Sequence, residues 1–454
     1  MTDRSSTLIA LRINNAEQMK EASTEPTPNT KIYLAFGRTG SWANDAAPPT
    51  ANSSVAAEYE IWQYMIGGKN ITGADLAHVI PRNNWAANTI YIAYDHMDAD
   101  LHNTSRPFYC VNSNYSVYKC LGNNSNSSSN SNTLGANSTV EPTSVNPNTV
   151  VQTSDGYLWK YMYTVSDNDQ LRFTTDEWVP VKTIPSDDSS VQWQVQNGAD
   201  DGGIHYIEVT DGGSGYTNAA AITLTLDGDG SSLSAAAVVN TVTNTVNSIS
   251  VTNPGSGYRY GTITIADSEA IPGTGASARV IISPPGGHGS DPLYELGGKN
   301  LMANPRLVAT EEGILTSNND FRQISLIKDP NLRDTTTQAQ NTAFLQAHTV
   351  ITTGSGDYLE DEVVYQGASL AESTFSGTIL RWDSSNGEAL IINTIGTETS
   401  EGLTGVTSSV QRFVTSSAEG NFEQDSGRIL YIDNIVPISR ATDQTEDFKI
   451  VLKF

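Results

Sequence analysis

The sequence predicts a mainly β protein: a discontinuous β-sandwich-like core with a few helices, carrying two inserted small β domains. Three observations predict it. The chain holds 37 Gly and 18 Pro in 454 residues, with abundant Thr, Ser and Asn, a composition that favours short strands joined by turns. Apolar and polar residues alternate in many short runs, which is the period of a half-buried strand. A ten-residue segment, Ile207 to Tyr216 (IEVTDGGSGY), returns as Ile249 to Tyr258 (ISVTNPGSGY), so one β module is present twice.

Taken in order, residues 7 to 12 (TLIALR) read as a short strand, and Asn15 with Gln18 as a capping box opening a helix through Lys20. Lys31 to Phe36 is a strand running into Gly37. Val55, Tyr59, Trp62 and Ile66 recur at helical spacing, with Gly67-Gly68 as the stop. Thr89 to Tyr94 and Phe108 to Cys120 alternate as strands, and Asn112 to Asn114 turns the second of these into a hairpin. Leu121 to Ser138 is dominated by Asn and Ser and has little to bury, so it predicts a mobile surface loop. Tyr157 to Val165 (YLWKYMYTV) is an aromatic strand destined for a core or an interface.

A chain of this length exceeds what one hydrophobic core serves, and several domains are expected. Residues 200–284 read as the tandem-repeat β domain. Each copy continues with a Thr-alternating strand, Ile222 to Leu226 or Thr262 to Ile265, and then a small-residue strand, Ala235 to Val239 or Ala276 to Ile282. Residues 350–414 read as a small β-barrel or sandwich, from alternation in Glu362 to Tyr365, Gly377 to Trp382 and Ala389 to Ile395. Residues 1–199, 285–349 and 415–454 are then parts of one core, since insertion into exposed loops costs little closure entropy.

With 25 basic against 50 acidic residues the formal charge is −25, and the overall field repels phosphate backbones and anionic lipid. Nucleic acid and membrane are therefore not expected partners. Leu8 to Leu11 is far short of a secretion signal, and no run approaches the ~20 apolar residues of a membrane span, so a soluble protein made in a cytoplasm is expected. Cys110 and Cys120 can pair across a hairpin, but a chain this long does not depend on one bridge; they read as buried thiols.

The candidate chemistry is thin. Asp95 to His102 (DHMDADLH) is the densest set of metal-ligand types, yet in a strand Asp98, Asp100 and His102 would lie ~6.6 Å apart, too spread for one ion. Asp227-Gly228-Asp229-Gly230 lacks the third carboxylate and closing Glu of a calcium loop and reads as a turn. Gly212 to Gly215 and Gly297-Gly298-Lys299 fit no phosphate-binding pattern. No nucleophile elbow is present, and Glu360-Asp361-Glu362 and Asp187-Asp188 read as solvated surface. No catalytic, cofactor-binding or metal residue is assigned, no cofactor is expected, and the chain is not expected to be an enzyme.

Motifs outside the two inserts resemble one family, in order. They are Phe36-Gly37-Arg38 with Trp42, then Trp62, Ile80-Pro81-Arg82 with Trp85, and a hairpin with Cys110, Tyr118, Cys120 and Leu121. Glu141-Pro142, Asp155-Gly156-Tyr157 with Trp159 and Tyr161, and Phe321-Arg322-Gln323-Ile324-Ser325 follow. Tyr431, Asn434, Pro437, Asp443-Gln444-Thr445-Glu446 and a strand finishing at Phe454 close the series. Together they resemble the baseplate wedge subunit, the gene eight product, of T-even-type contractile-tailed bacteriophages. The resemblance implies a structural virion protein of the tail baseplate, assembled in the host bacterial cytoplasm, which forms a homodimer and links neighbouring wedge proteins. Residues 200–284, 350–414 and the Asn/Ser tract have no counterpart in it.

Two matters stay open at this level. Arg38, Arg82 and Arg322 sit at strand ends, where a guanidinium either joins two loops of one protomer or reaches across an interface. The G-S-G-Y repeats and aromatic strands also fit a carbohydrate-binding adhesin or tail-fibre-like module, with sugar rings stacked on tyrosine; a polysaccharide-cleaving enzyme fits less well.

Overall fold

The computed structural model describes residues 9–24, 30–102, 105–125 and 135–454. The chain is mostly strand and divides into two compact units. One comprises Met1–Ala16, Ala77–Met302 and Val451–Phe454; the other comprises Glu17–Leu76 and Ala303–Ile450. Half of the Asn/Ser tract expected to be a loop, residues 126–134, lies outside the described residues, while Leu121 and Gly122 belong to the strand Ser116–Gly122.

In the second unit a five-stranded antiparallel sheet runs in the order Ala343–Leu345, Met65–Ile71, Ile32–Gly37, Asn319–Lys328 and Arg428–Arg440. Its central strand, Ile32–Gly37, is apolar along its length and buried at every residue, as expected of a strand covered on both faces. Tyr33 and Ala35 pack against Ile61 and Trp62 of the helix Val55–Tyr64 and against Phe344 and Phe422. Phe36 meets Phe321 at 5.1 Å between ring centres. The helix opens on Ser54, whose hydroxyl accepts from the Ala57 amide.

That helix ends at Tyr64, and Gly67-Gly68 is not its stop. Both glycines and Ile66 lie in the strand Met65–Ile71. A Cβ on Gly68 would stand 2.4 Å from the Leu34 carbonyl oxygen, and one on Gly67 2.4 Å from that of Phe344. The pair is there because backbones approach closely on both sides.

Between Leu345 and Asn421 the chain leaves the sheet to form a closed barrel. Its strands run in the order His348–Gly354, Glu388–Gly396, Phe375–Asp383, Val363–Gln366, Gly402–Gly405 and Gln411–Ala418. Val350, Val364, Phe375, Ile379, Ile391 and Leu403 fill it. The two chain crossings at its root are held together, since Leu345 and Asn421 exchange hydrogen bonds of 2.9 Å and the Gln346 side chain accepts from Phe422 N and donates to Phe422 O.

In the first unit, a four-stranded sheet runs in the order Tyr109–Val111, Ser116–Gly122, Leu158–Thr164 and Val150–Gln152. Asn112 turns the predicted hairpin, its side chain accepting from the Asn114 and Ser116 amides. Cys110 and Cys120 are free, buried thiols. The strand expected over residues 7 to 12 is instead part of a helix, Ile9–Thr24, as far as it is described. Ile9 and Ile13 fall one turn apart and pack onto the core that includes Ile80, Phe108 and Met162, so tertiary burial outweighs the local β pattern.

The repeat forms six strands, and its two copies are interleaved. Ile204–Ser214, opening the first copy, pairs with Thr274–Ile282, closing the second. Thr245–Ser256, opening the second, pairs with Ser231–Asn240, closing the first. The middle strands, Ile222–Gly228 and Gly261–Asp267, pair with each other. The repeated residues do equivalent work. Asp211 and Asn253 each accept from the amide two residues on, at Gly213 and Gly255, both of which sit at φ 62. Tyr216 Oη accepts from Ala276 N and Tyr258 Oη from Leu233 N, each on the third strand of the other copy. Both tyrosines are buried, at 2% and 4% exposure, so neither is a platform for a sugar ring.

Interleaving makes each copy dependent on the other. Excising Thr245–Ile282 is expected to leave the strand Ile204–Ser214 unpaired, so that residues 204–240 exchange their amide hydrogens at unfolded-chain rates. Retained protection of those amides would show that one copy folds alone.

Candidate functional site

The motif arginines each tie loops within one unit. In the second unit Arg38, at φ 64 immediately after the central strand, forms an ion pair with Glu60 and lies 3.9 Å over the Trp42 ring. Arg322 grips Asp45 with Nε and Nη2 at 3.1 to 3.2 Å and donates to the Thr39 carbonyl. This hydrogen bond with Arg322 holds the Asp45 carboxyl below its ordinary range. Arg440, buried, reaches Glu446 at 3.1 Å and the Thr316 carbonyl at 2.7 Å. In the first unit Arg82 donates to Asn84 and to the Thr175 carbonyl, while Trp85 donates to Ser138.

One edge of the five-stranded sheet is Ala343–Leu345; the other is Arg428–Arg440, the longest strand of that sheet. Trp42 Nε1 donates to the Ile435 carbonyl and Asn434 Nδ2 to the Pro49 carbonyl, so the segment 42–49 lies along its middle. Leu430 and Val436 stay exposed, at 41% and 51%. Pro437 removes one donor from this edge, a device that limits indiscriminate strand pairing.

The first unit buries an ionic cluster. Lys119, with no exposed surface, donates to Glu295 at 2.7 Å and to His288 Nδ1 at 3.1 Å, and lies 4.0 Å over the Tyr94 ring. An ammonium only donates, so His288 Nδ1 accepts and carries no proton. Glu295 also accepts from the Gly289 amide at 2.7 Å. His205, which approaches Asp200 at 3.6 Å, packs on His288, and Lys160 raises the positive field on both. Burial lowers His288 well below its ordinary value; burial first, then Lys160, takes His205 down to about 4. Burial, then Lys119, brings His102 to about 4 as well.

The acidic and histidine residues singled out in the sequence are spent on such ties. Asp95 pairs with Arg279 at 2.7 Å, Asp98 with Arg106 at 3.2 Å, and His96 Nδ1 faces the Ile282 amide. The Asp227 to Gly230 stretch joins strands Ile222–Gly228 and Ser231–Asn240, and Asp229 accepts from the Arg259 amide. Asp187 and Asp188 accept from the amides of Ser189 and Ser190. Glu362 departs from the solvated surface expected of it: it is buried and accepts from the amides of Leu359, Thr407 and Ser408. Among the described residues, the one group of His and carboxylate side chains whose ligand atoms converge is His348, Glu398 and Glu419. These are far apart in sequence and carry no local motif.

Two outcomes are expected from the buried cluster. Glu295→Ala strands the Lys119 charge and should cost about 3–5 kcal/mol in urea denaturation. Since the folded chain refuses protons that free histidine takes up near its ordinary 6.5, stability from His205 and His102 is present above pH 6.5 and drains as pH falls towards 4. His205→Gln should flatten that decline in melting temperature; an unchanged slope would contradict the assignment.

The sequence model of the family described as "Bacteriophage T4, Gp8" matches residues 7–147. Baseplate wedge protein gp8 of Enterobacteria phage T4 is 26% identical over 180 residues, covering 34% of this chain and 54% of that protein. The chain therefore spans about half the length of the curated relative it matches. The matched range contains Phe36-Gly37-Arg38, Ile80-Pro81-Arg82 with Trp85, and the cysteine hairpin, whereas Asp155 to Tyr161, Phe321 to Ser325 and the carboxyl-terminal motifs lie beyond the family match. No described helix is long and apolar enough to cross a membrane. The chain is similar to baseplate wedge proteins, and that similarity supports a structural role in a phage baseplate.

Proposed function

We propose that the chain is a non-enzymatic wedge subunit of a contractile phage tail baseplate, which pairs with a second copy of itself and then joins neighbouring wedge proteins. The family match over residues 7–147 carries this reading. The geometry supports it in two ways. Arg38, Arg82 and Arg322 each pair with groups of their own protomer, which stiffens the loops they join and lowers the entropy those loops would lose on association. The edge Arg428–Arg440 carries exposed Leu430 and Val436, a surface suited to apolar association.

The charge of −25 fits the same role: it keeps the free subunit soluble before assembly and argues against nucleic acid or anionic lipid as the partner. Assembly takes place in the host cytoplasm, and the product resides in the virion.

Sedimentation of the purified chain tests the pairing. A dimer is expected at micromolar concentration, converted to monomer by Leu430→Asp with Val436→Asp while circular dichroism stays unchanged. A monomer at all concentrations would contradict the homodimer, and a dimer untouched by the double substitution would move the interface elsewhere.

A further inference from the structure

We infer that His348, Glu398 and Glu419 form a binding site for a first-row divalent cation, zinc by ligand type, which clamps the root of the barrel. His348 is the first residue of the first barrel strand, Glu398 follows the strand Glu388–Gly396, and Glu419 follows the last strand, Gln411–Ala418. One ligand atom from each lies within 4.8 Å of the other two. The first and last strands also pair with each other, Thr349 opposite Ala418, so a cation here would hold the seam at which the barrel closes.

The histidine points to a ligand independently of the carboxylates. Its side chain is 8% exposed, and its buried Nε2 has no hydrogen-bond partner, although Glu398 Oε2 lies 3.4 Å away. A buried ring nitrogen left in that state costs stability unless something occupies it. Glu398 accepts a hydrogen bond from the Ser417 hydroxyl. Glu419 is half-exposed and ion-paired with Arg333.

The donor set selects the ion. One imidazole nitrogen with two carboxylates suits zinc or manganese, whereas calcium and magnesium favour all-oxygen shells. A polar cavity of about 200 Å³, bordered by Gln346, Asn393 and Thr394, gives room for water in an open coordination position. Arg333 competes with the ion for Glu419, so the cation and the guanidinium are alternative partners.

The test uses the untagged full chain, stripped with chelator and titrated calorimetrically with zinc, manganese and calcium salts in turn. One equivalent of zinc is expected, with a higher melting temperature and little response to calcium. Glu419→Gln, at a half-exposed position that leaves the fold intact, and His348→Gln should each weaken zinc binding by about 10–100-fold or more. Arg333→Gln should strengthen it, which a role confined to ion pairing would not produce. Absence of stoichiometric zinc binding by the parent chain, or binding indifferent to both ligand substitutions, would overturn the site.

Discussion

The second unit depends on one strand. Ile32–Gly37 is bonded on one side to Met65–Ile71 and on the other to Asn319–Lys328, with Ile32 opposite Ile71 and Lys328. Its closest neighbour in space on one side therefore comes from the far half of the chain. Such pairing demands closure of a very long loop, but the cost of closure grows only logarithmically with length. The same relation explains how whole β modules are tolerated between core strands. At the barrel root, the Leu345–Asn421 and Gln346–Phe422 bonds bring the ends of the excursion together, so the sheet hardly registers what lies between them.

The guanidinium groups at the motif positions look inward. A protein with twice as many acids as bases uses its arginines sparingly, and those at the motif positions pair with carboxylates or loop carbonyls of their own unit. The buried Lys119–Glu295–His288 group follows the same logic. Its components are expensive to desolvate and worth having only when every donor is met, which makes the fold specific and sensitive to loss of any member.

Much of this was legible in the sequence, and the failures share a cause. The aromatic strand around Trp159, the helix around Trp62, the hairpin at Asn112 and the duplicated module all follow from local periodicity, whereas Thr89 to Tyr94 forms no strand and only Thr89 bridges Ser138. What local pattern could not show is which distant segment arrives. Ile9 to Arg12 reads as strand until the core containing Ile80 and Phe108 offers a face to a helix. Gly67-Gly68 reads as a stop until Leu34 and Phe344 approach from either side. Lys119 lies on the same strand face as Val117 and Leu121, and only the arrival of the distant segment carrying His288 and Glu295 gives its charge partners. The interleaving of the repeat copies and the meeting of His348, Glu398 and Glu419 are likewise long-range facts, invisible to any window of neighbouring residues.

The central claim, that this chain is a structural part of a phage baseplate, is tested most directly by quantitative mass spectrometry of purified virions and of baseplates released from them. The account predicts the chain at a fixed copy number per particle, enriched with the baseplate and chemically cross-linked to other baseplate proteins. Its absence from virions, or its presence only as a free protein in infected-cell lysate, would contradict the account.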